Sequence, residues 1–231
     1  MAIGDDQLKV SGLRFRFAGQ STDLFQIEHL AIAQGQTVGI RGASGAGKTT
    51  LLHCLAGIEP VSAGNIRWSE HEITSLPAQV LTRWRQQHLG LVFQDFHLVE
   101  GLSALDNVLL PANFNAWRPA SILRERACAL LRRVAIGSPG RVAELLSRGE
   151  RQRVAVARAL LFEPRIVLAD EPTASLDPKN REVISRLLID LVHEYGATLV
   201  VVSHDSGLLE QLDQQLELCD GILRTAERTH V

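Results

Sequence analysis

Apolar and polar positions alternate through LKVSGLRFRF (residues 8–17), the period of a half-buried strand, and set Leu13, Phe15 and Phe17 on one face. After a turn over residues 18–22, LFQIEHLAIAQG reads as a second strand, and the two predict a small antiparallel layer. QTVGIRGASGAGKTTLLHCLAG then runs strand, glycine loop, helix. From about residue 76 to residue 161 the apolar spacing turns helical, with loops expected at GLSALDNVLLP and AIGSPGR, which predicts an inserted helical subdomain. RIVLADEP reads as a buried strand, REVISRLLIDLVHEYG as an amphipathic helix and TLVVVSHD as another buried strand, the alternation of a parallel sheet. The expectation is one α/β domain over residues 1–231. Its core spans residues 1–94 and 159–231, with a helical subdomain at residues 95–158.

Composition narrows this picture only slightly. A chain of 231 residues with 45% apolar positions can bury one substantial core. Its apolar runs, such as TLVVV, are strand-sized and far short of the roughly 20 residues that span a bilayer. The start, MAIGDDQLKV, carries acids where a secretory leader has bases, so a cytoplasmic protein is expected. Cys54, Cys128 and Cys219 lie far apart without a CxxC pair and read as buried or half-buried side chains. With 24 Lys and Arg against 26 Asp and Glu, no nucleic-acid partner is expected.

The chemistry begins at Gly42, Ala43, Ser44, Gly45, Ala46, Gly47, Lys48 and Thr49, which fit GxxxxGK[ST] between a strand and a helix. Glycines let successive N–H groups face inward, and the helix that follows turns its positive end toward a bound phosphate. Lys48 is expected at the β- and γ-phosphates, the Thr49 hydroxyl at Mg²⁺, and Thr50 at one more phosphate oxygen. The loop alone leaves GTPase, kinase and motor ATPase open.

A second chemical feature ends RIVLADEP. Two carboxylates at a buried strand tip are costly unless a cation or a reacting group is nearby. Asp170 therefore reads as a Mg²⁺ ligand, direct or through water, and Glu171 as the general base or positioner of the attacking water. A GTPase would also need a guanine-reading NKxD, and Lys179-Asn180-Arg181 is not one. A third feature is ELLSRGERQRVAVARALLFEP, another small-residue loop at a helix start. Val154, Ala157 and Leu161 seat the helix, and its arginines read as a solvated face with local ion pairs.

In family order, these motifs resemble the ATP-binding subunit of an ABC transporter. They are the phosphate loop at residues 42–49, Gln94 in LGLVFQDF, LSRGE at residues 146–150, Asp170 with Glu171, SLD at residues 175–177 and His204 in VVSHD. The resemblance implies a phosphate-loop ATPase core with a mainly parallel sheet, an N-terminal antiparallel β layer and an inserted helical subdomain. It implies ATP and Mg²⁺ as cofactors and catalytic roles for Glu171, His204 at the γ-phosphate, and Gln94 at Mg²⁺ and the attacking water. Phe17, with Phe15 as the alternative, is implied to stack on adenine in place of the usual tyrosine. Ser147, Gly149 and Glu150 are implied to serve ATP held by a second copy in a head-to-tail dimer, and Asp177 of SLD to be a nucleotide-binding residue. Arg148 stands where the commonest signature, LSGGQ, has its first glycine, and Glu150 where it has glutamine.

The wording FQDFHLVEGLSALDNVLLP and SRGERQRVAVARALLFEPRIVLADEPTASLD most resembles the lipoprotein-releasing and macrolide-exporting subgroup, and amino-acid importers share much of it. The implied partner is a separate membrane permease, with the chain on the cytoplasmic face of the inner membrane. Arg85 and residues 94–110, through Phe96, Leu98, Val99 and Leu102, are expected to form the permease-docking groove. A non-transport ABC protein acting on DNA or ribosomes would need arms, inserts or a second cassette. A non-hydrolysing regulatory module is disfavoured by Glu171 and His204.

Overall fold

The computed structural model describes residues 6–113 and 121–226. Residues 1–5, on which the reading of the N-terminus partly rests, lie outside them. Strands β1 (Asp6–Phe15), β2 (Phe25–Ala33), β4 (Ala63–Trp68) and β5 (His71–Glu72) form an antiparallel sheet in the order β2-β1-β4-β5. Strands β3 (Thr37–Arg41), β6 (Leu89–Val92), β7 (Ile166–Asp170), β8 (Thr198–Val202), β9 (Gln214–Cys219) and β10 (Ile222–Thr225) form the other, ordered β10-β9-β3-β8-β7-β6. Its pairings are parallel apart from the β9–β10 hairpin at one edge.

The N-terminal strand departs from simple alternation. Leu8 and Val10 are buried, and so are Leu13 and Phe15, which stand at the opposite parity. The switch falls at Gly12, where φ is +57° and the β1–β4 register slips between Ser11 and Arg14. The extra residue of the bulge lets one strand send both sets inward. Phe17 lies beyond the strand and leaves that face: its side chain is 46% exposed.

Strands β7 and β8 are buried on both sides, because helices and the second sheet cover the two faces. Val167, Ala169, Leu199 and Val201 join one apolar cluster with helices α3 (Ala104–Asn113), α4 (Ser121–Arg133), α5 (Arg148–Ala159) and α6 (Pro178–Glu194). Ile166, Leu168, Val200 and Val202 join another with α1 (Lys48–Leu55), α2 (Ala78–His88) and the antiparallel sheet. Each fully buried aliphatic side chain contributes about 1.5–3 kcal/mol. Together the two clusters fix the parallel strands, and so the loops at their C-terminal ends.

Two expectations within residues 76–161 change. LGLV forms β6, pairing parallel with β7; four apolar residues are too few to set a period, and the free edge of β7 decides their state. ALDNVLLP, expected as a loop, lies in α3 with Pro111 inside the helix. The Ser103 hydroxyl accepts the Asp106 N–H at 3.1 Å, a start signal that outweighs a proline one turn from the end. Among the cysteines Cys54 is buried, and burial pushes its thiol up to about 12; Cys128 is half-buried, whereas Cys219 is exposed in the β9–β10 hairpin.

Candidate nucleotide site

A cleft of about 660 Å³ opens at the C-terminal ends of β3, β7 and β8, where an open parallel sheet presents its ligand sites. It is lined by the β3–α1 loop and its helix start (Ser44, Gly45, Gly47, Lys48, Thr49, Thr50), by Gln94, Glu171 and His204, and by Phe17 at the rim. Gly42 is required where it stands, since a Cβ there would lie 2.3 Å from the Leu218 carbonyl oxygen on β9. The loop is thereby pinned against the sheet. Lys48 is buried and folds back over it, donating Nζ to the carbonyls of Gly42 at 3.0 Å and Ala43 at 2.9 Å.

Thr49 donates its hydroxyl to Asp170 Oδ1 at 3.1 Å, which ties the phosphate loop to the end of β7. Burial pushes the Asp170 carboxyl above the ordinary carboxylate range; the Thr49 hydrogen bond, His53 and Lys48 pull it back in part. A hydroxyl and a buried carboxylate that gains from a nearby cation are a donor set that fits Mg²⁺.

Glu171 follows directly and turns the chain sharply. Its φ is +43°, an unusual value for a non-glycine residue, and its N–H donates to the Val202 carbonyl at 2.8 Å. That turn presents its carboxylate to the cleft, where Oε2 accepts the His204 N–H at 3.3 Å and Oε1 lies 3.5 Å from His204 Nε2. Phe15 is buried and stacked on Phe25, so the alternative adenine platform is closed; Phe17 meets it at right angles at 5.1 Å, is half exposed and lines the cleft.

The sequence reading missed further lining residues. Thr173 donates to Asp205 Oδ2 at 2.9 Å, joining the loops after β7 and β8, and Arg181 of α6 reaches the cleft while its Nε donates to the Leu176 carbonyl. Their neighbours Pro172, Asp177 and His204 were the available signal; nothing in the spacing showed that the two loops meet.

Ser147, Gly149, Glu150 and Asp177 do not line this cleft. Ser147 caps α5: its hydroxyl accepts the Glu150 N–H at 3.3 Å, and Glu150 Oε2 accepts the Ser147 N–H at 2.8 Å. These bonds, with Arg141 nearby, hold the Glu150 carboxyl below its ordinary range. Asp177 caps α6 through the Asn180 N–H at 3.1 Å. A Cβ on Gly149 would meet Asn180 Oδ1 at 2.9 Å, so this glycine lets the two helix starts pack together.

Arg148 is exposed, but Arg151 and Arg158 of α5 are not part of the solvated, ion-paired face expected. Arg151 donates to the carbonyls of Ala143, Leu146 and Glu144, and Arg158 to those of Phe96 and His97. They bind loop carbonyls, a pairing invisible to helical periodicity. The expected docking segment also changes, because Phe96 is buried and Leu98 packs on the helical core. The groove present, about 340 Å³, is lined by Arg85, Leu91, Phe93, Leu110, Arg158 and Phe162 among others.

Fold and site together define a phosphate-loop ATPase with an inserted signature helix. Residues 25–174 match the family described as ABC transporter, and the chain belongs to that family, as an ATP-binding and ATP-hydrolysing subunit. It is 39% identical to the lipoprotein-releasing system ATP-binding protein LolD of Treponema denticola, over 96% of this chain and 99% of that one. With the LolD of Idiomarina loihiensis it shares 40% identity over 90% of this chain and 92% of that one. A dimeric, post-hydrolysis structure of the ATP-binding cassette MJ0796 bound to ADP and Pi superposes with a TM-score of 0.86 at 32% identity, covering 97% of this chain and all of that one. Among the described residues no helix is long and apolar enough to cross a membrane.

Proposed function

We propose that two copies of this chain close head to tail around two ATP molecules and drive a separate membrane permease from the cytoplasmic face of the inner membrane, in a lipoprotein-releasing system. The observation that carries the two-copy reading is the division of the motifs. The phosphate loop, Glu171, Gln94 and His204 meet at one cleft, with Asp170 bonded to Thr49 behind it, whereas Ser147 and Gly149 stand outside it at the start of another helix. A hydroxyl, free N–H groups and a helix dipole suit a γ-phosphate that a second copy brings. The names of the relatives support lipoprotein release and a membrane partner, and the dimeric cassette supports the pairing. The domain division at residues 95 and 158 fits this reading, since the core would carry the ATP and the helical part the signature.

In the catalytic step Phe17 stacks on adenine, the loop amides and Lys48 hold the phosphates, and Thr50 adds a contact. Thr49, Asp170 and Gln94 would hold Mg²⁺, which would neutralise charge on the phosphate oxygens. Glu171 takes the proton of the attacking water, and His204, oriented through its contact with Glu171, donates to the γ-phosphate. Asp177 keeps α6 capped beside the signature of the same chain, placing Gly149 for the partner's nucleotide.

The test is steady-state ATP turnover of the wild type and of Glu171→Gln. Loss of the base lowers turnover about a hundredfold or more while ATP binding persists. Equal turnover in the two would remove Glu171 from the reaction.

A further inference from the structure

The segment that carries Gln94 is bent against its own sequence. Phe96 and His97 hold left-handed backbone at consecutive positions, with φ of 58° and 45°, and neither is glycine. Such a pair persists only where its surroundings impose it. Those surroundings come from the helical side of the molecule. Arg158 of α5 donates Nη2 to the Phe96 carbonyl and Nη1 to the His97 carbonyl, both at 2.5 Å. Just downstream, the buried amide of Asn107 on α3 accepts the Val99 N–H at 2.7 Å and donates to the carbonyls of Val99, Leu102 and Ser103. The Gly101 N–H donates to Glu144.

On the other side of Gln94 the chain belongs to the sheet. Val92 pairs with β7, and the Phe93 ring lies 6.5 Å from His53 of α1. Gln94 and Asp95 therefore sit at a seam, with the nucleotide cleft facing Gln94 and the clamped bend immediately behind it. Arg158 is costly to keep there. Burial lowers its pKa, and its hydrogen bonds go to neutral carbonyls instead of a carboxylate. A lysine could supply the charge but not the planar fork that reaches two adjacent carbonyls at once.

We propose that Arg158 is a positioning residue for Gln94: by fixing the Phe96 and His97 peptides to α5, it sets where the Gln94 side chain stands in the nucleotide cleft. The proposal rests on Gln94 contacting Mg²⁺ and the attacking water. Arg158 also lines the groove between α2, β6, α3 and α5, beside Phe93 and His97, so it ties that groove to the bend behind Gln94.

The experiment is a double-mutant cycle on the full chain with Gln94→Ala and Arg158→Met, reading kcat and KM for ATP, with amide hydrogen exchange over residues 95–99. Arg158→Met is expected to lower kcat about tenfold, with KM changed less than twofold, because a misplaced group costs the chemical step more than binding. Exchange at residues 96–98 should speed up. In the Gln94→Ala background the same substitution should change kcat less than twofold. Equal losses in both backgrounds, or unchanged kcat in Arg158→Met, would overturn the assignment of Arg158. Unchanged kcat in Gln94→Ala would overturn the reading of Gln94 and the proposal with it, and faster exchange would then show that the clamp exists without that purpose. If Arg158→Met does not fold, Arg158→Lys, which keeps charge and loses the fork, carries the same cycle with the same expected pattern.

Discussion

At the scale of single residues, His88 shows how local packing sets a pH response. It closes α2 with its ring 5.8 Å from Trp84 and 5.3 Å from His71. Burial, then the charges of His71 and Arg165, lower its pKa. A histidine that binds its proton less readily when folded makes stability rise with pH, since the unfolded chain takes up the proton first. The expected result is a melting temperature that falls as pH drops below about 6.5, the ordinary imidazole value, with a shallower fall in His88→Gln. Thermal unfolding across pH 5 to 8 checks it, and identical slopes would contradict it. The same scale marks what was legible. Lys48, Thr49 and Asp170 stood out as candidates because their motifs are local in sequence, and the structure joins Thr49 to Asp170 through one hydroxyl. The +43° turn at Glu171 and the carbonyls held by Arg158 did not, because each depends on groups tens of residues away.

At the scale of elements, apolar pattern showed which stretches are strands and helices, and the order of the strands in the sheets comes from the structure. β7, β8 and α6 read correctly because strong apolar runs and a clear period fixed them. β6 and α3 did not: one was too short to show a period, and in the other a proline concealed a helix that Ser103 begins. These two elements form, with α2 and α5, the groove lined by Leu91, Leu110 and Phe162, which we take as the seat of the permease. Its apolar lining, with the cation Arg85 among it, suits an apolar segment that carries an acid. Leu110→Asp is therefore expected to abolish co-purification with the permease while the isolated chain keeps its ATP turnover. Retained co-purification would move the docking site elsewhere.

At the scale of the whole molecule, two layers of function share one chain. The sheet carries the phosphate loop and its acids, and the helical part carries a capped helix start that its own cleft does not use. Sequence order made the family legible. The resemblance already implied a signature that serves a second copy, and the position of Ser147 outside the pocket that holds Lys48 agrees with it. In the proposed cycle ATP is the ligand that makes two copies bind, and its hydrolysis the event that parts them, so dimer and nucleotide state would be linked by mass action. The most direct test is the mass in solution of Glu171→Gln, which should hold ATP without turning it over, measured by light scattering with MgATP and with MgADP. The account predicts a particle of twice the 25.4 kDa chain with ATP and the single chain with ADP. A single chain in both, or a dimer indifferent to the nucleotide, would contradict it.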